Sequence, residues 1–551
     1  MEENVTQTKE KKISFISAML IVIGGSIGAG IFFKSGSVLS SSHNSLVLAI
    51  FCWIIASCAV IAMALALVEI SSVRNDNLSL MSWTKVFNSK RIYRASKDFM
   101  TYIYLPLTYL FMPLYVIMSL QDGVGALINK DALTFGTQAD WAIWLVIGLV
   151  MSVYFLTIPA YWSKVGDIQN IIVLAVKFIP LAFIAIIGFV LAGTGNGGLD
   201  NVQPLVKSSG ESYRDLIKGG AGLQDLGGLG AGLGVFLAVA AIFFAYDGFY
   251  VAAGIQSEMK EPKKTPSAIF LGLSITTLIY VIIAVSMSIN GGSFFSMKDY
   301  MSQLMGDKAG RVVFGIINIC ISIGVLGIIN GFSMWAPRYV EDLLATGDLP
   351  FWEKVQGKLN ANKPKVGIIY SLVLTIPIVI VFTIIGALAY LPTNSDYNIY
   401  SNDARLSMSR LYAFADLMAN WTALFTFGFI ATAILGGIIN RKKNFVEVKD
   451  KKRYFLPSAY IAVIVVYAAL IVTAIVPIID MFLLIGIDRT LAAFTDLVVG
   501  RVMLVVVLII FALLTFLPTV IEDAVHAKKF GSVQAYDEYV ESKLKPHADV
   551  Q

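Results

Sequence analysis

The chain is 551 residues long, 57% hydrophobic and only 14% charged, with a mean hydropathy of +0.75. That balance excludes a soluble protein folded around one core and points to a polytopic membrane protein. The net charge of +5 is what basic loops on one membrane face supply, so no nucleic-acid partner is expected.

The first dozen residues are polar and carry lysines. The apolar run that follows is too long for a cleavable signal. Stretches able to cross a bilayer as helices are read at 13–39, 45–72, 100–128, 140–159, 166–192, 233–256, 267–290, 310–336, 366–390, 411–440, 455–480 and 494–520. The fold class is therefore all-α, with twelve transmembrane helices. Lys and Arg fix the orientation. With the N-terminus inside, the inner segments hold 29 of them and the outer loops 10. Both termini are thus expected in the cytoplasm and the protein in the plasma membrane. The division that follows is a cytoplasmic segment 1–12, five spans in 13–192 and a Gly-rich extracellular loop 193–232. Five spans in 233–440, two peripheral spans in 441–520 and a cytoplasmic tail 521–551 complete it. Cys52, Cys58 and Cys320 all fall inside spans and read as reduced packing residues. The 73–99 loop, with six basic residues, is expected on the anionic inner leaflet surface. The Gly-rich loop reads as a flexible linker, with a gating role as the alternative.

The first span contains Ile-Gly-Gly-Ser-Ile-Gly-Ala-Gly-Ile-Phe-Phe, residues 23–33. Gly24, Gly25, Gly28 and Gly30 each cost roughly 1 kcal/mol in a helix. Together they are expected to break it in mid-membrane, where open backbone survives only if it lines a cavity. The bland alternative is that these glycines merely allow close helix packing. The sixth span holds Ala-Ile-Phe-Phe-Ala-Tyr-Asp-Gly-Phe-Tyr, residues 241–250, where an aspartate beside glycine again favours a turn. Paired interrupted helices of this kind mark the substrate site of transporters built from inverted repeats. A half-helix starting near Gly30 points free N–H groups at the membrane centre and suits a carboxylate. A half-helix ending near Ile23, like the first part of span 6, leaves carbonyls that suit an ammonium. Together they fit an α-amino acid.

Gly-Ser-Ile-Gly-Ala-Gly-Ile-Phe (25–32) resembles the first-helix signature of the amino acid–polyamine–organocation superfamily. Phe-Ala-Tyr-Asp-Gly-Phe (244–249), with Glu-Met-Lys-Glu-Pro-Lys-Lys-Thr-Pro (258–266) after it, is similar to the sixth-helix signature and its loop. Ala-Pro-Arg-Tyr-Val-Glu-Asp-Leu-Leu-Ala-Thr-Gly-Asp-Leu-Pro (336–350) is similar to the stretch after helix eight. The Phe-Ala-Tyr-Asp-Gly form resembles the L-type exchanger branch. The resemblance implies a leucine-transporter-like 5+5 inverted repeat with discontinuous helices 1 and 6. It further implies that a substrate carboxylate meets N–H groups near Gly28, Ala29 and Gly30. The ammonium would meet carbonyls near Ser26, Phe244, Ala245 and Asp247. The expected substrate-binding set is Ser26, Ile27, Gly28, Ala29, Gly30, Phe244, Ala245, Tyr246, Asp247 and Gly248. Phe244 or Tyr246 would close the site on one face, core packing being the alternative for both.

Lys177 lies in mid-span 5, where an ionisable residue is functional by default. The resemblance implies that it stands in place of a bound sodium ion. Its ammonium could brace carbonyls of the broken first helix, and proton loss would loosen that brace. A permanently charged structural lysine is the alternative. Asp247 is read as a helix cap, a gate or a contact to a cationic substrate. Lys34 is expected to face an outer vestibule and Glu69 to be solvated. No nucleophile–base pair, nucleotide loop or metal spacing is found, so no enzyme, cofactor or metal is expected. The function expected is a secondary amino-acid transporter with an amino-acid substrate and a coupled proton. The alternatives are an amino-acid exchanger, a polyamine or cationic amino-acid exchanger, and a transporter-like sensor.

Overall fold

The computed structural model describes residues 14–544 apart from 29, 74–79, 204–211, 251–258, 361 and 392–405. Among these residues eleven helices are long and apolar enough to cross a membrane. A twelfth span, the first in the chain, is a pair of helices, Phe15–Ser26 and Gly30–Ser41, bent by 59°. Helix is what hydrocarbon demands, because it satisfies every backbone group within the segment. The twelve spans fall where hydropathy places them. Their ends differ where polar residues continue the helix: span 3 runs Lys90–Leu127 and span 8 Asp307–Ala345. Span 6 begins at Gly227 rather than 233.

The spans are arranged as two matching sets of five. Spans 1 and 6, 2 and 7, and 3 and 8 pack directly on each other. Span 1 packs on 7 as 6 does on 2, span 3 on 10 as 8 does on 5, and span 4 on 8 as 9 does on 3. Exchanging the two sets reproduces these contacts. Five is odd, so the second set necessarily crosses in the opposite sense to the first. This is the inverted-repeat architecture that the resemblance implies.

Loop contacts sort the two faces. On one face, Lys85 after span 2 and Lys97 in the first turns of span 3 reach Asp348 after span 8. Arg94 there reaches Glu522 and Asp523 at the end of span 12. On the other face, Leu46 N–H at the start of span 2 donates to Gln203 C=O after span 5. Asp480 at the end of span 11 accepts from Leu223 N–H before span 6, at 2.6 Å. The alternation predicted from charge is the one these contacts require.

Three expectations are corrected. The 73–99 segment is not a loop: from Leu80 it forms helices Leu80–Phe87 and Lys90–Phe99, and of its basic residues Lys97 is buried against Asp98 and Glu522. The 219–234 stretch is not simply a flexible linker: from Gly227 it is helical, and Gly230 and Gly234 sit at close contacts. A Cβ on Gly234 would lie 1.9 Å from Ser41 C=O, so glycine lets span 6 touch the end of span 1. Glu69 is buried, not solvated. Its oxygens accept from Arg441 Nε at 2.7 Å and Nη2 at 2.6 Å, and from Lys452 N–H at 2.6 Å. Glu69→Gln keeps the shape and removes the charge facing Arg441. It is expected to lower stability by about 3 kcal/mol, near the low end for a broken buried pair because Arg441 is partly hydrated. Thermal unfolding in detergent measures this.

Candidate functional site: the break in span 1 and the cavity beneath it

The first helix does not break where most of its glycines are. Gly24 and Gly25 stay helical, and the chain leaves the helix at Ile27, whose ψ is 99°. The second helix starts at Gly30. Ala29 lies outside the described residues. Span 6 ends its first helix at Ala245. A turn follows through Gly248, whose φ of +97° favours glycine. The two breaks touch. A Cβ on Gly30 would sit 2.5 Å from Ala245 Cα, and one on Gly248 would sit 3.2 Å from Gly25 C=O.

The opened backbone is largely accounted for by side chains of other spans. Lys177 Nζ donates to Gly24 C=O at 2.7 Å. The Tyr280 hydroxyl of span 7 lies between the breaks. It accepts from Gly28 N–H at 3.2 Å and offers its proton to Ser26 C=O at 2.9 Å and Ala245 C=O at 2.8 Å. Sequence reading missed Tyr280, because a tyrosine in an apolar run carries no local signal of what its hydroxyl meets. The first N–H groups of the helix at Gly30 have no intrahelical acceptor, and Gly30 and Phe32 line the cavity. Tyr280→Phe is expected to free Gly28 N–H and two carbonyls at once. A shift of about tenfold in apparent substrate affinity, with the protein still folded, is the expected reading of uptake against concentration.

A cavity of about 830 Å³ starts at the break and extends toward the face on which span 1 begins. Its walls include Ile21 and Val22 before the break, Trp83, Met100 of span 3, Asn170 of span 5 and Trp335 near the end of span 8. In span 1 the lining reaches no further than Phe32, and in span 3 no further than Met112. The cavity is therefore closed toward the other face.

Of the predicted residues, Ser26, Ile27, Gly28, Gly30, Phe244, Asp247, Gly248 and Lys177 all line this cavity. Ala245 lies behind it, its carbonyl turned to Tyr280. Tyr246 is not a closing residue: it is buried, and its hydroxyl bonds Ser57 of span 2 at 2.8 Å and Thr277 of span 7 at 2.9 Å. Asp247 Oδ2 accepts from the Tyr104 hydroxyl at 2.9 Å. Tyr104 ends a π-helical turn, Met100–Tyr104, just before Pro106. Such turns re-aim side chains at functional sites. Asp247 Oδ1 is buried with no hydrogen-bond partner among the described residues.

Lys34 is the largest departure from expectation. It faces no vestibule; it is fully buried and ion-paired with Asp416 of span 10. Its ammonium also donates to the Tyr115 hydroxyl of span 3 at 2.8 Å and lies 4.5 Å from the centre of the Phe244 ring. Asp416 was hidden in the run of span 10. Sequence spacing cannot pair residues 382 positions apart.

The profile of the family described as amino acid permease matches residues 13–481. The chain is 58% identical to an uncharacterized protein of Mycoplasma pneumoniae, over 97% of this chain and 98% of that one. It is 25% identical to the serine/threonine exchanger SteT of Bacillus subtilis, over 63% of this chain and 71% of that one. It is 23% identical to the b(0,+)-type amino acid transporter 1 of Homo sapiens, over 62% and 64%.

Proposed function

The chain belongs to the amino acid permease family, and on that premise we propose that it is a secondary amino-acid transporter of the plasma membrane, working by alternating access and coupled to a proton held on Lys177. The substrate carboxylate takes the N–H groups at Gly28 to Gly30, and its ammonium takes carbonyls at Ser26, Phe244, Ala245 and Asp247. Tyr280 gives up those groups when substrate enters. The cytoplasmic face is the one that carries the N-terminus, following the Lys and Arg bias, and the cavity faces it.

The observation that carries the coupling is the 2.7 Å bond from Lys177 Nζ to Gly24 C=O. A charged donor makes a hydrogen bond about twice as strong as a neutral one. Proton loss from Lys177 therefore loosens the tie between span 5 and the break, and the first helix becomes freer to tilt. Reconstituted liposomes test this. An imposed pH gradient is expected to drive net uptake of a labelled amino-acid mixture. Uptake confined to vesicles preloaded with amino acids would sink the proton reading and favour exchange.

A second reading concerns the substrate's side chain. Asp247 Oδ1 has no side-chain donor among the described residues, and a cationic amino acid or polyamine would supply one. Asp247→Asn is expected to reduce uptake of lysine or ornithine by about tenfold or more while sparing neutral amino acids. Equal loss for both classes would assign Asp247 to the head group or to the fold.

A further inference from the structure

A buried ion pair lies over the closed end of the cavity. Phe244 closes it above the break. Its ring is packed at 5.6 Å against Phe111 and at 5.7 Å against Tyr115. Directly over it sits Lys34 Nζ. Lys34, Tyr115 and Asp416 form a closed triangle. Lys34 donates to the Tyr115 oxygen and to Asp416, and the Tyr115 hydroxyl donates to Asp416 Oδ1 at 2.8 Å. Asp416 Oδ2 accepts from Ser37 at 3.4 Å and Asn420 at 3.3 Å. Three spans, 1, 3 and 10, thus meet on one buried ion pair, on the closed side of the cavity.

We propose that the Lys34–Asp416 pair is the latch of the closed side, holding Phe244 as the roof of the cavity, and that it parts when the protein opens to that side. This rests on the alternating-access reading above. The chemistry suits a reversible latch better than an apolar seal does. Removing two charges from water costs about as much as their attraction returns, so a well-bonded buried pair and its two hydrated halves are close in free energy. Opening that face admits water to both groups. An apolar contact has no such compensation, since wetting it is unfavourable. The pair therefore specifies the closed arrangement without making it permanent. Removing one partner is a different matter, because the remaining charge is left buried and unpaired.

Cys320 lines the cavity and reports which side is open. In a Cys52→Ser/Cys58→Ser background it is the sole thiol, and a membrane-impermeant thiosulfonate reagent can be added to right-side-out or inside-out vesicles. The chain with the pair intact is expected to label mainly from the side where span 1 begins. Lys34→Gln strands Asp416 and is expected to raise labelling from the opposite side by about tenfold or more. The Lys34→Met/Asp416→Leu double variant leaves no unpaired charge, although it removes the acceptor that Tyr115, Ser37 and Asn420 share. It is expected to return that labelling to the starting level or below, with slower uptake. Unchanged labelling in Lys34→Gln, or a double variant that labels like the single one, overturns the latch. If the single variant does not accumulate, Ser37→Cys/Asn420→Cys in an otherwise cysteine-free chain leaves the pair intact. Bridging those thiols with a short bifunctional reagent is then expected to stop uptake, and undiminished uptake overturns the proposal. Wild-type uptake separates the two claims: no uptake of any amino acid overturns the transport reading, while uptake with a dispensable pair overturns only the latch.

Discussion

Lys177→Ala is expected to cut proton-driven uptake by roughly ten- to a hundredfold. The lost hydrogen bond is one to a charged donor, of the class that contributes about 1.5–3 kcal/mol, and each ~1.4 kcal/mol is a factor of ten. Gly24 C=O sits at the end of a helix whose last carbonyls have no intrahelical donor, so losing Lys177 leaves it open within the cavity wall. Two further substitutions separate charge from proton exchange. Lys177→Met keeps the apolar stem and is expected to fail like alanine. Lys177→Arg keeps a cation that does not release its proton. It is expected to retain exchange into preloaded vesicles while losing accumulation driven by a pH gradient. Accumulation intact in Lys177→Arg would make this lysine a structural cation.

Gly30→Ala is expected to abolish transport and to destabilise the fold by about 1–3 kcal/mol or more, the range for overpacking a tight contact. The added methyl would stand 2.5 Å from Ala245 Cα and 3.0 Å from Ala245 N, which are backbone atoms and cannot rotate away. The two broken helices would have to separate, and the groups they present to a ligand would separate with them. Gly25 is the control. A Cβ there meets nothing within 4 Å, and the residue is helical. Gly25→Ala is therefore expected to fold and transport much as the parent does. Uptake and detergent thermal stability measured on both variants read the contrast. If the two behave alike, contact between the breaks is not what requires glycine at position 30.

That contrast also shows what the sequence could carry. The glycine cluster announced a break, and the break is there. Which glycines make it was not legible, because Gly24 and Gly25 are tolerated inside a helix that packing holds together. The twelve spans and their alternation followed from hydropathy and from Lys and Arg counts, both of which are local signals. Lys177 was found because a charge in mid-membrane is costly wherever it lies. Lys34 is equally visible in the sequence, but its local pattern points it at water, since its partner Asp416 lies far along the chain and only the packing of spans 1, 3 and 10 brings the pair together. Glu69 went the same way, with Arg441 as the hidden partner. Tyr280 and Tyr246 are alike in sequence context, two tyrosines in apolar runs. Only the fold shows that the first hydroxyl bridges both breaks and the second points away between spans 2 and 7. Periodicity and composition report a residue's environment. They do not report the direction of a hydroxyl.

On the proposed reading, the break in span 1, closed against the break in span 6, recognises both ends of an α-amino acid. Competition at the purified protein tests it most directly. A labelled amino acid that binds is challenged with the same amino acid unlabelled, with its decarboxylated amine and with its deaminated acid. The geometry predicts that the intact amino acid displaces the label far more effectively than either analogue. Each single-ended analogue should be weaker by about tenfold or more, having lost one set of charge-assisted hydrogen bonds. Displacement by the amine or the acid as effective as that by the amino acid itself would contradict the account.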